Sequence, residues 1–342
     1  MTRRLSEDGF FRAALALVVL FVAGVVLKLA RPVLVPFVLA VFLSYIVDPA
    51  LALLVRRCRF SRTAALLVVL ALMFVLLYLL GLLIYSSGKA FVADLPKYQD
   101  RVADLAALLQ KGLGALRVDL SSALESVDIG RIGALILKAI GPFVTLLGKI
   151  LLVFLFLVFI LAGRGRAGAK LAGVLDRDDA ARIGAALGSI NDQVRKYLVI
   201  KTAVSLANGL MVWIVLALFG VDFAALFGLM AFFLNYIPNI GSTIAAVIRV
   251  AFAFFQLGTF WAPFWILVIT VGLDTAMGNL LEPRIMGKGL GLSPLLVFFS
   301  LLFWGWLWGI PGMILSVPLT AVIRIACQNV PGLRPVAVLM GP

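Results

Sequence analysis

The stretch from Gly278 to Thr320 limits the fold of this chain more than any other part of the sequence. It begins with the polar, glycine-rich segment Gly278–Pro294, and no charged residue follows between Lys288 and Arg324. A soluble core of that length would not combine so many aromatic residues, glycines and prolines without a single charge. A lipid bilayer tolerates such a run when the broken backbone is buried in protein or lines a cavity. The stretch therefore predicts interrupted helices at membrane depth.

The composition supports the same prediction for the whole chain. Of 342 residues, 63% are hydrophobic and only 13% are charged, whereas an ordinary soluble domain is about half apolar and a quarter charged. The apolar runs are long and continuous, unlike the alternating segments of an outer-membrane barrel. We expect an all-α integral membrane protein with about eight transmembrane helices and two broken or re-entrant helical hairpins in the C-terminal third.

The positive charge of the chain has a topological explanation. The formal net charge is +14, which in a soluble protein would suggest nucleic-acid binding. Here the basic residues cluster in loops, most densely from Arg56 to Arg62, as the positive-inside rule predicts for cytoplasmic loops. We therefore expect no nucleic-acid partner and a multi-pass protein with both termini in the cytoplasm.

Changes in charge and hydropathy divide the chain into five segments. Residues 1–85 predict three transmembrane helices. Residues 86–141 carry both signs of charge and helically spaced apolar residues, which predicts an extracytoplasmic amphipathic helical insert. Residues 142–201 predict a fourth transmembrane helix and a basic cytoplasmic helical segment. Residues 202–328 form the predicted transport core with its two interrupted hairpins, and residues 329–342 a cytoplasmic tail.

The two predicted hairpins resemble each other in sequence. The fragment Ala246–Ala251 is echoed by Ala321–Ala326, and Ile237-Pro238 by Ile310-Pro311. Chance similarity between apolar segments is one explanation, and a repeated helical hairpin is the other. Corresponding segments interrupted by Gly and Pro are the best sequence indication of a transporter binding site.

Several kinds of chemistry find no support in the sequence. The chain has two cysteines and no histidine, so we expect no disulfide framework, zinc site or imidazole proton relay. It also lacks a phosphate-binding loop and a nucleophile motif. We therefore expect neither an enzyme nor a cofactor, and transport must be secondary, passive or dependent on another protein.

Polar residues at membrane depth are the candidate functional groups. Asp274 is either functional or a hydrogen-bonded packing residue, because a carboxylate in lipid needs a partner or water. Arg249 lies inside an apolar run, and its candidate partners are Asp274 and Asp222. Arg324 is expected to snorkel to the cytoplasmic surface. The other candidates are Asn208, Asn235, Asn239, Ser242 and Thr243 near the first interruption, and Asn279, Glu282 and Arg284 along or after the following span.

The aromatic residues before the second interruption allow two interpretations. Phe303, Trp304, Trp306 and Trp308 are typical of the aromatic belt at a membrane interface. They could instead form a stacking wall for a small ligand. We favour the belt.

Four motifs carry a resemblance to a known family. They are Val194–Thr202, Asn235–Ser242, Gly278–Pro294, and Phe303–Gly309 with Leu315–Thr320. Together with the order of elements, they make the chain similar to the autoinducer-2 exporter family of PerM-like permeases. The resemblance covers nearly the whole chain.

The resemblance implies a function and a set of ligand groups. It implies a bacterial inner-membrane protein that exports a small molecule such as the quorum-sensing signal autoinducer-2, as a homo-oligomer for which a pentamer is described. Some members resemble sodium/proton antiporters, so this activity is an alternative. The implied ligand groups, by motif position, are Asn235, Asn239, Gly241, Asn279, Pro283 and Gly287.

We expect the substrate site to combine these positions with Arg249, Asp274 and Glu282, next to membrane lipid. Export of a small polar molecule is the leading hypothesis, and cation/proton exchange through Asp274 and Glu282 is the alternative. A membrane scaffold that binds a partner through the 86–141 insert is the third hypothesis.

Overall fold

A computed structural model gives the architecture of the chain. The structure describes residues 21–94, 150–163, 177–238, 240–286 and 290–341, together with 14–15, 18–19 and 96–97. The described residues form helices joined by short turns, and they contain no β-strand. The fold is therefore all-helical, as predicted. Most of the predicted insert, from residue 98 onward, lies outside the described residues.

The described residues contain the following helical elements. They are α1 (21–29), α2 (Arg31–Arg56), α3 (Arg62–Ala93), α4 (Ile150–Gly163), α5 (Arg177–Leu218), α6 (Ala224–Leu234), α7 (Ile240–Leu257), α8 (Trp261–Thr275), a π-helical segment (Ala276–Leu281), α9 (Glu282–Met286), α10 (Pro294–Trp308), α11 (Ile310–Asn329), a 3₁₀ turn (Pro331–Leu333) and α12 (Arg334–Leu339).

Six helices within the described residues are long and apolar enough to cross a membrane. They are α2, α3, the apolar part of α5, α7, the continuous helix Trp261–Met286 and α11. Three shorter apolar helices accompany them, namely α4, α6 and α10. The chain is therefore a helical, multi-pass membrane protein.

Two helices extend beyond their predicted ends. The helix α5 is 42 residues long, so the basic segment from residue 177 and the predicted fifth span form one continuous helix. The helix α3 continues through Ser86 to Ala93, past the predicted start of the insert. Neither helix contains a proline, which would interrupt its hydrogen bonding. Each helix therefore continues past the boundary that the sequence predicted.

The chain forms two compact units. The first comprises residues Met1–Ser44, Leu152–Val194 and Gly291–Pro342, and the second comprises Tyr45–Leu151 and Arg195–Leu290.

The hairpin of α10 and α11 dominates the first unit. Gly312 lets the two helices approach closely, because a Cβ at this position would lie 1.9 Å from the carbonyl oxygen of Trp304. The hairpin turn is at Gly309, whose φ of +70° favours glycine. Trp304 and Trp308 are buried against Val35 and Leu307.

The aromatic residues of α10 therefore have two roles. Trp304 and Trp308 belong to the hairpin core, and the indole N–H of Trp308 donates to the carbonyl of Leu27 at 3.2 Å. Trp306 is exposed, and the ammonium of Lys28 lies 4.6 Å from its ring centre. Phe303 and Trp306, at 49% and 65% exposed, have the exposure that an interface belt requires.

Four buried polar groups form hydrogen bonds with one another between α10 and α11. The indole N–H of Trp304 donates to the hydroxyl of Thr320 at 3.3 Å, and Thr320 contacts the hydroxyl of Ser300. Ser300 in turn donates to the carbonyl of Ser316 at 3.0 Å. The hydroxyl groups of Thr320 and Ser300 can each accept one of these hydrogen bonds and donate another. The polar groups between α10 and α11 are therefore satisfied within the hairpin.

In the second unit, α5 packs closely on α6 through two glycines. A Cβ at Gly209 would lie 2.7 Å from the carbonyl oxygen of Gly228, and the reverse distance is also 2.7 Å. Small residues at such crossings let membrane helices approach to backbone contact. An apolar core lies beside the crossing and includes Val212, Leu216 and Phe227.

The first interruption separates α6 from α7. Gly241 lies in the first turn of α7, and a Cβ there would lie 1.8 Å from the carbonyl oxygen of Leu234. The backbone N–H of Gly241 donates to the carbonyl of Ile237 at 3.2 Å. This tight approach brings Asn235 and Tyr236, at the end of α6, next to α5.

Candidate functional site

One face of α5 carries the polar groups around which the site is built. Lys201, Ser205 and Asn208 are buried, and Thr202 is half-buried beside them. Their spacing of three or four residues places them on one side of an α-helix. The same face continues toward the end of the helix with the apolar residues Val212 and Leu216. The sequence of α5 therefore produces a polar stripe followed by an apolar one.

An ion pair lies at the Asn208 end of this stripe. The guanidinium of Arg249, which is 0% exposed, donates from Nη2 to Oδ2 of Asp274 at 2.5 Å. Its Nε donates to the hydroxyl of Thr270 at 3.1 Å. The amide Nδ2 of Asn208 donates to the other carboxylate oxygen of Asp274 at 2.9 Å. Both oxygens of the carboxylate thus accept from buried donors, which offsets the cost of burying its charge.

A second ion pair lies at the Lys201 end. The ammonium of Lys201 donates to Oε2 of Glu282 at 2.8 Å, and the two side chains are 7% and 15% exposed. The sequence analysis did not pair these two residues, because Arg284, only two positions after Glu282, is the nearer cation in sequence. Arg284 is instead exposed.

Neutral hydrogen bonds occupy the middle of the stripe. The amide of Asn235 donates to the hydroxyl of Ser205 at 2.9 Å, and both residues are buried. The hydroxyl of Tyr236 donates to Thr202 at 2.8 Å, and Thr202 donates to the carbonyl of Leu198 at 2.6 Å. The interruption between α6 and α7 therefore contributes side chains to the stripe of α5.

These groups form one continuous element, which we call the polar column. It consists of Lys201, Thr202, Ser205, Asn208, Asn235, Tyr236, Arg249, Thr270, Asp274 and Glu282. From Lys201 to Asn208 it follows α5 for about 10 Å, at 1.5 Å per residue. Its two cations and two anions balance within two ion pairs. Its formal net charge is zero.

The π-helical segment lies between the two carboxylates. The N–H of Glu282 donates to the carbonyl of Met277, five residues earlier, where an α-helix would use the fourth. Pro283 follows at once. A proline inside an α-helix lacks an N–H and clashes with the carbonyl four residues earlier, and a wider turn before it relieves that conflict. Such π-bulges are frequent at functional sites.

The wide turn also decides where Glu282 points. Asp274 and Glu282 are eight positions apart, which in a regular α-helix would separate them by about 80° around the axis. One residue absorbed in the wide turn reduces the rotation to that of about seven residues, only about 20° short of two full turns. Both carboxylates therefore face α5, and each reaches a different partner on it.

Two atoms of the polar column have no hydrogen-bond partner within the described part of the chain. They are Oδ1 of Asn208 and Nη1 of Arg249, and both are buried. One is an acceptor and the other a donor, and both side chains are anchored to Asp274. Buried polar groups are almost always satisfied by protein or by ordered water, so a water molecule or a small polar ligand beside either atom would complete its hydrogen bonding. A hydroxyl group, which donates and accepts, has the required chemistry.

The structure places the predicted site residues in three different environments. Asn235, Arg249, Asp274 and Glu282 meet in the polar column, and Arg249 has the partner Asp274 that the sequence indicated. Gly241 contacts backbone at the interruption. Asn279 and Pro283 are exposed, away from the column. Asn239 and Gly287 lie outside the described residues. The role of all nine positions in substrate binding stays a prediction.

Five residues of the polar column were missed or left unassigned by the sequence analysis. Lys201 was assigned to a cytoplasmic basic segment because charges near helix ends usually mark a loop. A helical-period test from residue 201 onward would have aligned it with Asn208. The hydroxyl groups carry no comparable signal, since serine and threonine are common in apolar helices. The five are Lys201, Thr202, Ser205, Tyr236 and Thr270.

Comparison with known proteins identifies the family to which this sequence is similar. The family model described as "AI-2E family transporter" matches residues 15–332. The AI-2 transport protein TqsA of Escherichia coli K12 is 34% identical over 331 residues, covering 95% of this chain and 94% of TqsA. A Haemophilus influenzae protein provisionally named a transport protein is 34% identical over 333 residues, covering 96% and 94% of the two chains. A protein of E. coli K12 provisionally named permease PerM is 25% identical over 327 residues, covering 91% of each.

Proposed function

The chain belongs to the AI-2E transporter family, and from that premise we propose that it exports a small, neutral, polar molecule through the polar column. Its similarity to a protein named for AI-2 transport makes autoinducer-2 the first candidate substrate. The proposed location is the bacterial cytoplasmic membrane. The activity is that of a permease, without a chemical reaction on the substrate.

The pair of unpartnered atoms at Asp274 is the observation that carries this proposal. Oδ1 of Asn208 and Nη1 of Arg249 offer one acceptor and one donor at a buried position. Autoinducer-2 is small and rich in hydroxyl groups, so it can satisfy both atoms. Because an unsatisfied buried group costs about 1–3 kcal/mol, a bound hydroxyl would recover a useful part of that free energy.

The charge balance of the column supports a neutral substrate. Arg249 is paired with Asp274, and Lys201 with Glu282. A charged solute would enter without a counter-ion at a depth where an uncompensated charge costs several kcal/mol. A neutral molecule can exchange hydrogen bonds with the serine, asparagine and tyrosine side chains without this cost.

The decisive experiment measures efflux of autoinducer-2 from vesicles that contain purified protein. Asn208→Ala removes the unpartnered acceptor and the donor to Asp274. We expect about tenfold slower efflux, because the loss of one hydrogen bond of about 1.4 kcal/mol corresponds to a factor of ten. Asn235→Ala, in the middle of the column, should act in the same direction.

Ser300→Ala is the matched control, since it removes a buried hydrogen bond outside the column. It should leave efflux near the level of the unmodified protein. Equal efflux by folded Asn208→Ala, Asn235→Ala and unmodified proteins would reject the polar column as the substrate path.

The second candidate function is sodium/proton exchange, and the two buried carboxylates favour it. Asp274 and Glu282 each bind a cationic side chain on the same column. A proton or sodium ion could replace that cation during exchange. The test is proton flux driven by a sodium gradient in proteoliposomes. Normal exchange by Asp274→Asn protein would eliminate this candidate, while leaving the export proposal intact.

The proposed topology has eight spans with two broken or re-entrant hairpins. The helices α6 and α10 contain 11 and 15 residues, or about 17 and 23 Å, against a hydrocarbon thickness of about 30 Å. Each is too short to cross alone and is paired in sequence with a longer helix. Both termini are proposed to be cytoplasmic, and copies of the chain to associate into a homo-oligomer such as a pentamer. Native mass spectrometry tests the copy number.

The remaining segments follow the sequence prediction. We propose that residues 86–141 contain an extracytoplasmic insert, that residues 202–328 are the transport core, and that residues 329–342 are a cytoplasmic tail. Protease protection in oriented vesicles tests the insert and the tail separately.

A further inference from the structure

A cavity at the C-terminal end of α11 lies outside the polar column. It has a volume of about 240 Å³ and is lined by Arg324, Gln328, Arg334, Ala337 and Val338. Two of these side chains are cationic, one is an amide and two are aliphatic. None is acidic, and no acidic residue follows Glu282 in the sequence. The cavity therefore offers donors and positive charge to a ligand.

The walls of the cavity are held in place by the backbone around it. The Nε of Arg324 donates to the carbonyl of Ala337 at 3.4 Å. Gly291 leaves room for the same guanidinium, because a Cβ there would lie 2.1 Å from its Nη1. The N–H of Ser293 donates to the carbonyl of Met340 at 3.2 Å. The end of the chain is thus folded back onto α11 and onto the loop before α10.

Arg334 differs from Arg324 in being exposed. It makes no hydrogen bond or ion pair with any residue inside the described ranges. Its guanidinium can therefore turn toward a ligand without first giving up a contact to that part of the protein. Guanidinium groups match the geometry of phosphate oxygens and bind them with two parallel hydrogen bonds.

The cavity lies where a membrane-spanning helix ends. The helix α11 is apolar enough to cross a membrane, and Arg324 is its first charged residue. Beside the cavity, α12 exposes Val336, Val338 and Leu339, the last two at 76% and 84%. A short helix with exposed apolar residues next to cations is typical of a segment that lies in the membrane interface.

We propose that this cavity binds the phosphate group of an anionic membrane lipid. Arg334 and Arg324 supply the positive charge, Gln328 supplies an amide donor, and the exposed side chains of α12 contact the acyl chains. Basic pockets at the cytoplasmic ends of membrane helices bind lipid head groups in this way. Free phosphate has the same oxyanion chemistry, but the apolar surface of α12 beside the cavity favours the lipid.

The test compares ligands on the purified, full-length protein in neutral detergent. Phosphatidylglycerol, phosphatidylcholine and inorganic phosphate are titrated separately, with native mass spectrometry and thermal unfolding as readouts. We expect phosphatidylglycerol to bind and to raise the unfolding temperature, since a ligand that binds only the folded state stabilises it. Phosphatidylcholine and inorganic phosphate should have much smaller effects.

Two pairs of variants make the test specific to the cavity. Arg334→Gln should weaken phosphatidylglycerol binding at least about fivefold, the factor that corresponds to about 1 kcal/mol per cation near an anionic lipid. Arg56→Gln, at the exposed end of α2, removes the same charge elsewhere and should change little. Val338→Asp should abolish binding, and Val338→Asn should retain most of it.

Three results would overturn the proposal. Equal losses for Arg334→Gln and Arg56→Gln would mean that only general surface charge attracts the lipid. Equal stabilisation by phosphatidylglycerol and phosphatidylcholine would remove the role of the anionic head group. Stabilisation by inorganic phosphate as large as that by the lipid would assign the cavity to a soluble anion.

Discussion

The α6–α7 and α10–α11 hairpins share sequence fragments but satisfy their polar groups in opposite ways. In α10–α11, Trp304, Thr320 and Ser300 pass hydrogen bonds to a backbone carbonyl, and the chain closes within the hairpin. In α6–α7, the polar side chains contact α5 and α8, and among the described residues the network leaves one donor and one acceptor without a partner. The second hairpin therefore uses its polar groups in its own packing, whereas the first leaves hydrogen-bonding capacity at the site that we propose for the substrate.

The arginines Arg249 and Arg324 show the same difference between the two hairpins. Arg249 and Arg324 occupy equivalent positions in the two similar fragments, yet Arg249 is fully buried in an ion pair, whereas Arg324 donates to the backbone carbonyl of Ala337 in α12. Both fragments lie in α-helices, but the burial and the hydrogen-bond partner of the arginine differ between them.

The largest effect is expected from replacing these two arginines separately. Arg249→Met leaves the carboxylate of Asp274 buried without its cation, and breaking a buried ion pair costs about 3–5 kcal/mol. Arg324→Met should cost only about 1 kcal/mol, because its hydrogen bond to Ala337 is long at 3.4 Å. Chemical denaturation in detergent measures both losses of unfolding free energy.

The double variant Arg249→Met with Asp274→Leu is the control for this prediction. It removes both charges, so stability should return toward that of the unmodified protein while transport stays lost. Equal losses for Arg249→Met and Arg324→Met would break the comparison between the hairpins.

The next effect concerns the glycines that let each hairpin close. Gly241→Ala and Gly312→Ala each place a Cβ within 2 Å of a backbone carbonyl oxygen. Because backbone must move, we expect losses of about 1–3 kcal/mol in both. Gly272→Ala meets nothing within 4 Å and should gain up to about 1 kcal/mol from better helix propensity. Unfolding temperatures of the three variants would show whether the two hairpins close equally tightly.

A smaller effect separates stability from transport. Ser205→Ala and Ser300→Ala each remove one buried hydroxyl, so each should lose about 1 kcal/mol of unfolding free energy. Only Ser205→Ala should slow efflux, because Ser205 belongs to the polar column and Ser300 to the closed hairpin. Loss of efflux in Ser300→Ala protein that still folds would contradict the assignment of the second hairpin to packing.

The smallest perturbation uses the native cysteines as probes. Cys58 is exposed and Cys327, on α11, is buried. We expect a membrane-impermeant thiol reagent to label Cys58 rapidly from the cytoplasmic side and Cys327 slowly in every condition. In a Cys58→Ser background, Ser205→Cys should become reactive when the column opens. Substrate-dependent labelling of Cys327 instead would move the conformational change to the second hairpin.

The sequence predicted the helical class and named Asp274 as a candidate partner of Arg249, because uncharged runs and isolated charges at lipid depth have few physical explanations. It did not predict the pairing of Lys201 with Glu282. That pair joins residues 81 positions apart, and Lys201 was assigned to a basic cytoplasmic segment. Their contact depends on the packing of α5 against α9, which local periodicity does not encode.

The sequence analysis also did not predict the π-helical segment, although the proline that causes it is visible in the sequence. Pro283 requires a break in the regular hydrogen bonding before it, and Gly278 gives the backbone freedom nearby. A kink would have met the same requirement, so the wide turn could not be deduced. Only the structure shows that the turn brings Glu282 to the side of α5.

The π-helical turn before Glu282 contains one residue more than an α-helical turn. The rotation of the helix beyond this turn therefore determines whether Glu282 reaches Lys201. Restoring regular α-helical winding between Met277 and Glu282 would swing everything beyond it by roughly 100° and carry the glutamate off Lys201. The width of the turn and the contact of Lys201 with Glu282 therefore stabilise each other. Any perturbation that tightens the winding must also leave the buried ammonium of Lys201 without its carboxylate, so this short segment couples the twist of one helix to a buried charge on another.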